Sequence, residues 1–138
     1  YSSIARKQVS AARSIIQQLG FISNPDGIRQ FRKAVLGGEL EELKPISISV
    51  NDFYSLSECR DLCFHVKEHL FTTTDLEKLL DSQCLEFCGF MLPRKTKISY
   101  REKNPDDNYM TSLKKWGEFE MKNPLTFQSM YQFWAKKS

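Results

Sequence analysis

The sequence predicts an α+β fold that is mostly helical, with a small antiparallel sheet of strands near residues 85–92 and 130–136. Three observations predict it. Apolar residues recur at three- and four-residue spacing in several stretches, and most of these stretches open on a capping residue. Two short runs, one from Leu85 to Leu92 and one from Met130 to Ala135, are rich in aromatic and aliphatic side chains and read as strands. The length of 138 residues, with 41% hydrophobic and 27% charged side chains, suits one soluble domain, or part of one, around a single core.

Each element has its own signal. Tyr1-Ser2-Ser3 leads at once into a helix in which Ile4, Ala5, Val9, Ala12, Ile15, Ile16 and Leu19 share a face, and Gly20 stops it. Asn24-Pro25 starts a second helix, with Asn as N-cap and Pro at the first helical position; Ile28, Phe31 and Val35 carry it to Gly37-Gly38. A short acidic helix from Glu39 to Leu43 ends before Pro45. Ile46 to Val50 alternates but is short and reads as loop. Ser55-Leu56-Ser57-Glu58 is a capping box, and the helix it opens is expected to run to about Glu68. Thr72, with Asp75 three residues on, caps a helix carrying Leu76, Leu79 and Leu80 to about Ser82.

The strand that follows, Leu85 to Leu92, is apolar on both alternating faces apart from Glu86, which predicts cover on both sides. Lys95 to Asp107 is polar and contains the turn Asn104-Pro105-Asp106-Asp107. Leu113, Trp116, Phe119 and Glu120 set out a helix from Thr111 to Lys122, closed by Asn123-Pro124.

Composition removes several function classes. No run approaches a membrane-spanning length and no signal-peptide pattern opens the chain, so a cytoplasmic protein without membrane contact is expected. A net charge of +3 with scattered Lys and Arg, clustered only at Arg94-Lys95-x-Lys97, argues against a nucleic-acid partner. Four cysteines fall as Cys59-x3-Cys63 and Cys84-x3-Cys88. Zinc ribbons prefer two-residue spacings, so buried reduced thiols are expected and no metal ligands. A Gly-rich phosphate loop and a Ser nucleophile elbow are absent from the sequence.

The chemistry-bearing residues concentrate between Tyr54 and His69. Both histidines lie there, as His65-x-x-Glu68-His69, the H-x-x-E-H pattern of inverted zinc peptidases. On a continuous helix His65 and His69 share a face and could hold one metal ion. A metal-dependent hydrolase would need a third ligand and a cleft, and the acids downstream (Glu86, Glu102, Glu118, Glu120) carry no supporting signature. The plainer reading is a partly buried helix with local hydrogen bonds, Asp61 accepting from His65. A third is a substrate-facing polar cluster, in which His65 or His69 serves as base and Arg60 holds an acidic group, supported by Asp61, Glu68 and Tyr54.

Phe71-Thr72-x-x-Asp75-Leu76-x-x-Leu79-Leu80 followed by Leu85-Glu86-Phe87-x-Gly89-Phe90 resembles the late helix-and-strand unit of class I S-adenosylmethionine-dependent methyltransferases. Met130-Tyr131-Gln132-Phe133-Trp134 resembles their last, antiparallel strand. More specifically, Tyr1-Ser2-x-x-Ala5-Arg6 and Asp52-Phe53-Tyr54-x-Leu56-Ser57-x-Cys59-Arg60-Asp61-Leu62-x-Phe64-His65-Val66-x-Glu68-His69-x-Phe71 resemble the C-terminal part of bacterial methyltransferases that often carry tetratricopeptide repeats upstream. The resemblance runs the length of the chain. It implies the C-terminal half of a Rossmann-like enzyme, on the substrate side, with S-adenosylmethionine held by an N-terminal half whose Gly-rich turn and acidic residue are not found here. The chain alone is then expected to bind no cofactor and to be inactive. A non-catalytic self-association or partner-binding module, with a homodimer as the expected state, is the alternative from another class.

Overall fold

The computed structural model describes residues 1–49, 51–65, 67–128 and 130–138. The fold is α+β: 56% helical, with seven α-helices and one two-stranded antiparallel sheet among the described residues. No helix is long and apolar enough to cross a membrane. The chain divides into two compact units, one of residues 7–68 and one of residues 1–6 with 69–138.

The 7–68 unit is helical. Helix α1 (Lys7–Leu19) buries Val9, Ala12 and Ile16. It starts later than the apolar repeat predicts, because Ser2 is held in extended backbone and residues 3–6 form a turn. Helix α2 (Pro25–Leu36) begins as the sequence predicts: the Asn24 side chain accepts from the Gly27 N–H at 2.8 Å and Pro25 fills the first turn. Gly27 has no alternative, since a Cβ there would lie 2.1 Å from the Ile22 carbonyl oxygen. Phe31 is fully buried, with Phe21, Phe53 and Phe64 edge-on around it at 5.6–6.1 Å.

Two local expectations fail in this unit. The stretch from Ile46, read as loop, is helical: a 3-10 turn at Glu41–Leu43 runs into α3 (Lys44–Ser49), with Pro45 in its first turn, where a missing N–H costs nothing. Ile46 is fully buried and Ile48 is 78% exposed. The predicted helix to Glu68 is also cut short. Ser55 caps it by accepting from the Glu58 N–H, α4 covers only Leu56–Cys59, and the chain widens into a π turn over Arg60–Phe64. His65 is already extended (φ −85°, ψ 128°), its N–H closing the π turn on the Arg60 carbonyl at 3.0 Å. The capping box marks the start correctly. No sequence signal marks the stop, because residues 65–70 contain neither Gly nor Pro.

In the other unit α5 (Thr73–Ser82) opens on a full capping box between Thr72 and Asp75. Strand β1 (Leu85–Phe90) pairs with β2 (Phe133–Lys137), Leu85 opposite Lys137 and Phe90 opposite Phe133. The register slips between Phe87 and Gly89, a bulge in which Gly89 takes φ 130°. That bulge overturns the expectation of a strand covered on both sides. It turns Phe90 onto the face of Phe87, their rings 4.8 Å apart, so one face is buried and Glu86 and Cys88 are exposed on the other. β2 is exposed apart from Phe133. Buried thiols are therefore found at Cys59 and Cys63, whereas Cys84 and Cys88 are exposed.

Residues 94–103, read as polar connection, form helix α6 (Arg94–Lys103), which buries only Tyr100. The turn at Asn104–Asp107 is present, closed by the Asp107 N–H on the Asn104 carbonyl at 3.1 Å. Helix α7 (Leu113–Lys122), capped by Ser112, stacks Trp116 on Tyr100 with centroids 3.7 Å apart. The Tyr100 hydroxyl donates to Asp107 at 2.6 Å, and burial together with that carboxylate raises its pKa. Asp107 also accepts from the Thr111 and Ser112 N–H groups, which ties the turn to the start of α7.

Candidate functional site

The expected site residues do not form one cluster. Arg60 and Asp61 are exposed neighbours, with Nε and Oδ1 3.6 Å apart. Tyr54 is 54% exposed and lies edge-on to Phe53. His65 is exposed just past the π turn, and His69 is exposed outside any helix or strand, its carbonyl accepting from Tyr1 N at 3.0 Å. The shared helical face required for metal binding by His65 and His69 is absent, because the helix ends at Phe64. Glu68 pairs with Arg13 at 2.9 Å, and Arg13 also holds the Leu62 carbonyl, so this acid anchors the end of the π turn. Among the described residues no three His, Cys, Asp or Glu side chains are grouped to hold a metal ion.

The structure brings together a different set, built on Glu120. The spacing of Leu113, Trp116 and Phe119 rolls Glu120 onto the inward side of α7, where it is 1% exposed. One carboxylate oxygen accepts a hydrogen bond from the Ser2 hydroxyl, and the other accepts from the Tyr131 hydroxyl at 2.9 Å. Ser2 is itself fixed from both sides. Its backbone forms a parallel bridge with Phe71, and its oxygen accepts from the Ile4 and Ala5 N–H groups at 3.2 and 3.1 Å. Burial pushes the Glu120 carboxyl above its ordinary range, and the Ser2 and Tyr131 hydrogen bonds pull it partly back. Burial raises the Tyr131 hydroxyl as well, so it stays a donor.

Glu120 borders a cavity of about 300 Å³. Lys114, Gly117 and Met121 of α7 form one side, and Thr72, Thr73 and Thr74 at the start of α5 form another. α7 approaches α5 closely because residue 117 is glycine: a Cβ there would lie 2.4 Å from the Thr73 hydroxyl oxygen. Chemically this is a small, mostly apolar chamber bordered by a buried carboxyl that holds its proton more tightly than an exposed one. Neither histidine contributes to it. The sequence signal was available in part, since Glu120 is the one acid at a core-facing position of α7.

No family model matches the chain, and no curated protein is significantly similar to it.

Proposed function

We propose that residues 1–138 form the substrate-side region of an S-adenosylmethionine-dependent methyltransferase, with Glu120 as its proton-accepting group. The observation that carries this reading is the buried Glu120 carboxyl, raised in pKa and held by Ser2 and Tyr131 at the edge of a cavity. Methyl transfer to an oxygen or nitrogen nucleophile asks the protein chiefly to position the acceptor and take its proton. The parallel bridge of Ser2 with Phe71 and the antiparallel β1–β2 pair suit the late part of such a sheet.

The cofactor does not fit these residues by themselves. Among the described residues no strand is followed by a Gly-rich turn and a helix, the arrangement that cradles a nucleotide-type cofactor. Calorimetry with S-adenosylmethionine should therefore show no micromolar binding. The reading is tested by adding a separately expressed cofactor-binding half from a methyltransferase of the resembling type. Transfer of labelled methyl groups to a cell extract should need both pieces, and Glu120→Gln should reduce it on the order of a hundredfold. Equal transfer with and without this chain would refute the proposal, as would micromolar cofactor binding by the chain alone.

A second reading, self-association, rests on the sheet. Among the described residues β1 and β2 are each other's only strand partners, and Met91, Met130 and Trp134 beside them are 51%, 52% and 67% exposed. Two strands are a marginal sheet in water, and pairing of open edges in a twofold dimer completes it at least cost. Light scattering should then give twice the chain mass of 16.1 kDa. A monomer that binds no hydrophobic dye would exclude this reading.

A further inference from the structure

Thr73 lines the cavity beside Glu120 and is 4% exposed. Its hydroxyl makes no hydrogen bond among the described residues, because the capping box at the start of α5 engages Thr72 and Asp75 instead. A buried hydroxyl without a partner is costly, so this one is open to a ligand group. Gly117 faces it from α7, where a Cβ would lie 2.4 Å from the oxygen. With glycine at 117 no side chain covers the hydroxyl there, and both residues line the cavity.

The charges around the cavity are graded with depth. Lys114, Gly117, Glu118 and Met121 recur at three- and four-residue spacing, so they share the face of α7 that borders it. Lys114 and Glu118 are exposed, and among the described residues neither makes an ion pair; the neighbouring pair joins Lys115 to Asp106. One cation and one acid leave the rim without net charge. Glu120 is the acid further in, 1% exposed. Its oxygens accept from Ser2 and Tyr131, and a carboxylate has about four acceptor sites, so each oxygen keeps a second one.

We propose that this cavity binds a small primary amine with an apolar body, its ammonium group held by the Glu120 carboxylate and the Thr73 hydroxyl oxygen. An ammonium group has three donors and no acceptor, which matches two acceptors and no cation at depth. A carboxylate ligand would set its charge against Glu120, with only Lys114 at the rim to offset it. The start of α5, which would otherwise draw an anion, is already engaged by the Asp75 carboxylate. A neutral alcohol would leave the Glu120 charge without a counter-ion. The volume of about 300 Å³ and the mostly apolar wall, with Ile4 and Met121 in it, suit a chain of a few carbons behind the head group. Under the methyltransferase reading, on which the ligand's role but not its binding rests, the amine is the methyl acceptor.

The test titrates the isotope-labelled full chain with three probes of similar size, n-butylamine, butyrate and 1-butanol, and follows the Gly117 amide by nuclear magnetic resonance. Butylamine should give a saturable shift with a Kd on the order of millimolar, as suits so small a ligand. Butyrate and butanol should bind at least about tenfold more weakly. Glu120→Gln removes the carboxylate charge and should weaken butylamine binding about tenfold or more. Thr73→Val keeps the shape, removes the hydroxyl and should weaken it roughly threefold to tenfold. Lys114→Met removes a like charge at the rim and should leave the affinity unchanged or tighter. Circular dichroism confirms that each variant is folded. No saturable shift with butylamine, butyrate binding as tight as butylamine, or an unchanged butylamine affinity in both Glu120→Gln and Thr73→Val would overturn the proposal. No cofactor enters this assay, so its result stands apart from methyl transfer. Saturable butylamine binding by a chain that supports no methyl transfer would uphold the amine site and refute the methyltransferase reading.

Discussion

Replacing Gly117 with alanine sets two effects of known size against each other. An alanine in the middle of a helix is worth about 1 kcal/mol over glycine, so at an open position in α7 the substitution would stabilise the protein. Position 117 is not open. The added methyl would lie 2.4 Å from Thr73 Oγ1, about 1 Å inside ordinary contact. Thr73 cannot easily yield: it is β-branched, 4% exposed and fixed in the first turn of α5 by the capping box beside it. Relief therefore requires α7 and α5 to move apart, and overpacking of this kind costs about 1–3 kcal/mol. The net expectation is a loss of about 1 kcal/mol. Urea denaturation followed by tryptophan fluorescence, with Trp116 one residue away, should show the midpoint falling by roughly 0.5–1 M. Thr73→Ala removes the obstructing oxygen, and in that background Gly117→Ala should stabilise by about 1 kcal/mol, a reversal of sign in a double-mutant cycle. The same effect in both backgrounds would show that the two helices do not approach as described.

Three further outcomes follow from the same structure. Glu120→Gln should change the pH dependence of stability. A carboxyl whose folded pKa lies above its ordinary 4.5 gives stability that is complete below 4.5 and lost as pH rises through the folded value. Wild type should therefore lose stability relative to the variant as pH rises above 4.5, and parallel profiles would refute the buried-carboxyl assignment. Tyr131→Phe deletes a donor to that carboxylate and should cost about 1.5–3 kcal/mol by chemical denaturation, with little loss in the Glu120→Gln background. Asn24→Ala should cost about 1 kcal/mol through the lost N-cap of α2, whereas Asn24→Gly should cost only a few tenths.

The starts of α2, α4 and α5 were legible because a start is local chemistry. Asn24, Ser55 and Thr72 each accept from an N–H three residues on, and side chains of this kind before an apolar repeat announce that contact. Stops and irregularities were less legible because they depend on packing. The end at Phe64 coincides with Arg13 holding the Leu62 carbonyl from 49 positions earlier in the chain, which no window around His65 contains. The bulge at Cys88 depends on pairing with β2, and without it Phe87 and Phe90 fall on opposite faces in any alternating count. Helix α6 was missed because only Tyr100 of its ten residues is buried, so it has almost no apolar stripe to find.

The candidate site shows the same division at the level of function. His65-x-x-Glu68-His69 drew attention because histidines and acids crowd together in sequence, yet the backbone straightens at His65 and its acid is committed to Arg13. Glu120 drew little, because its partners lie 118 residues before it and 11 after it. What distinguishes Glu120 is physical rather than compositional. It is an acid at a buried position of an amphipathic helix, where a charge is costly to desolvate unless donors converge on it. Ser2 and Tyr131 are those donors, and Ser2 is in place because the backbone around it is paired with Phe71. A buried acid with two donors and an adjoining cavity is a stronger pointer to chemistry than an exposed motif, because burial and converging donors act directly on its proton affinity.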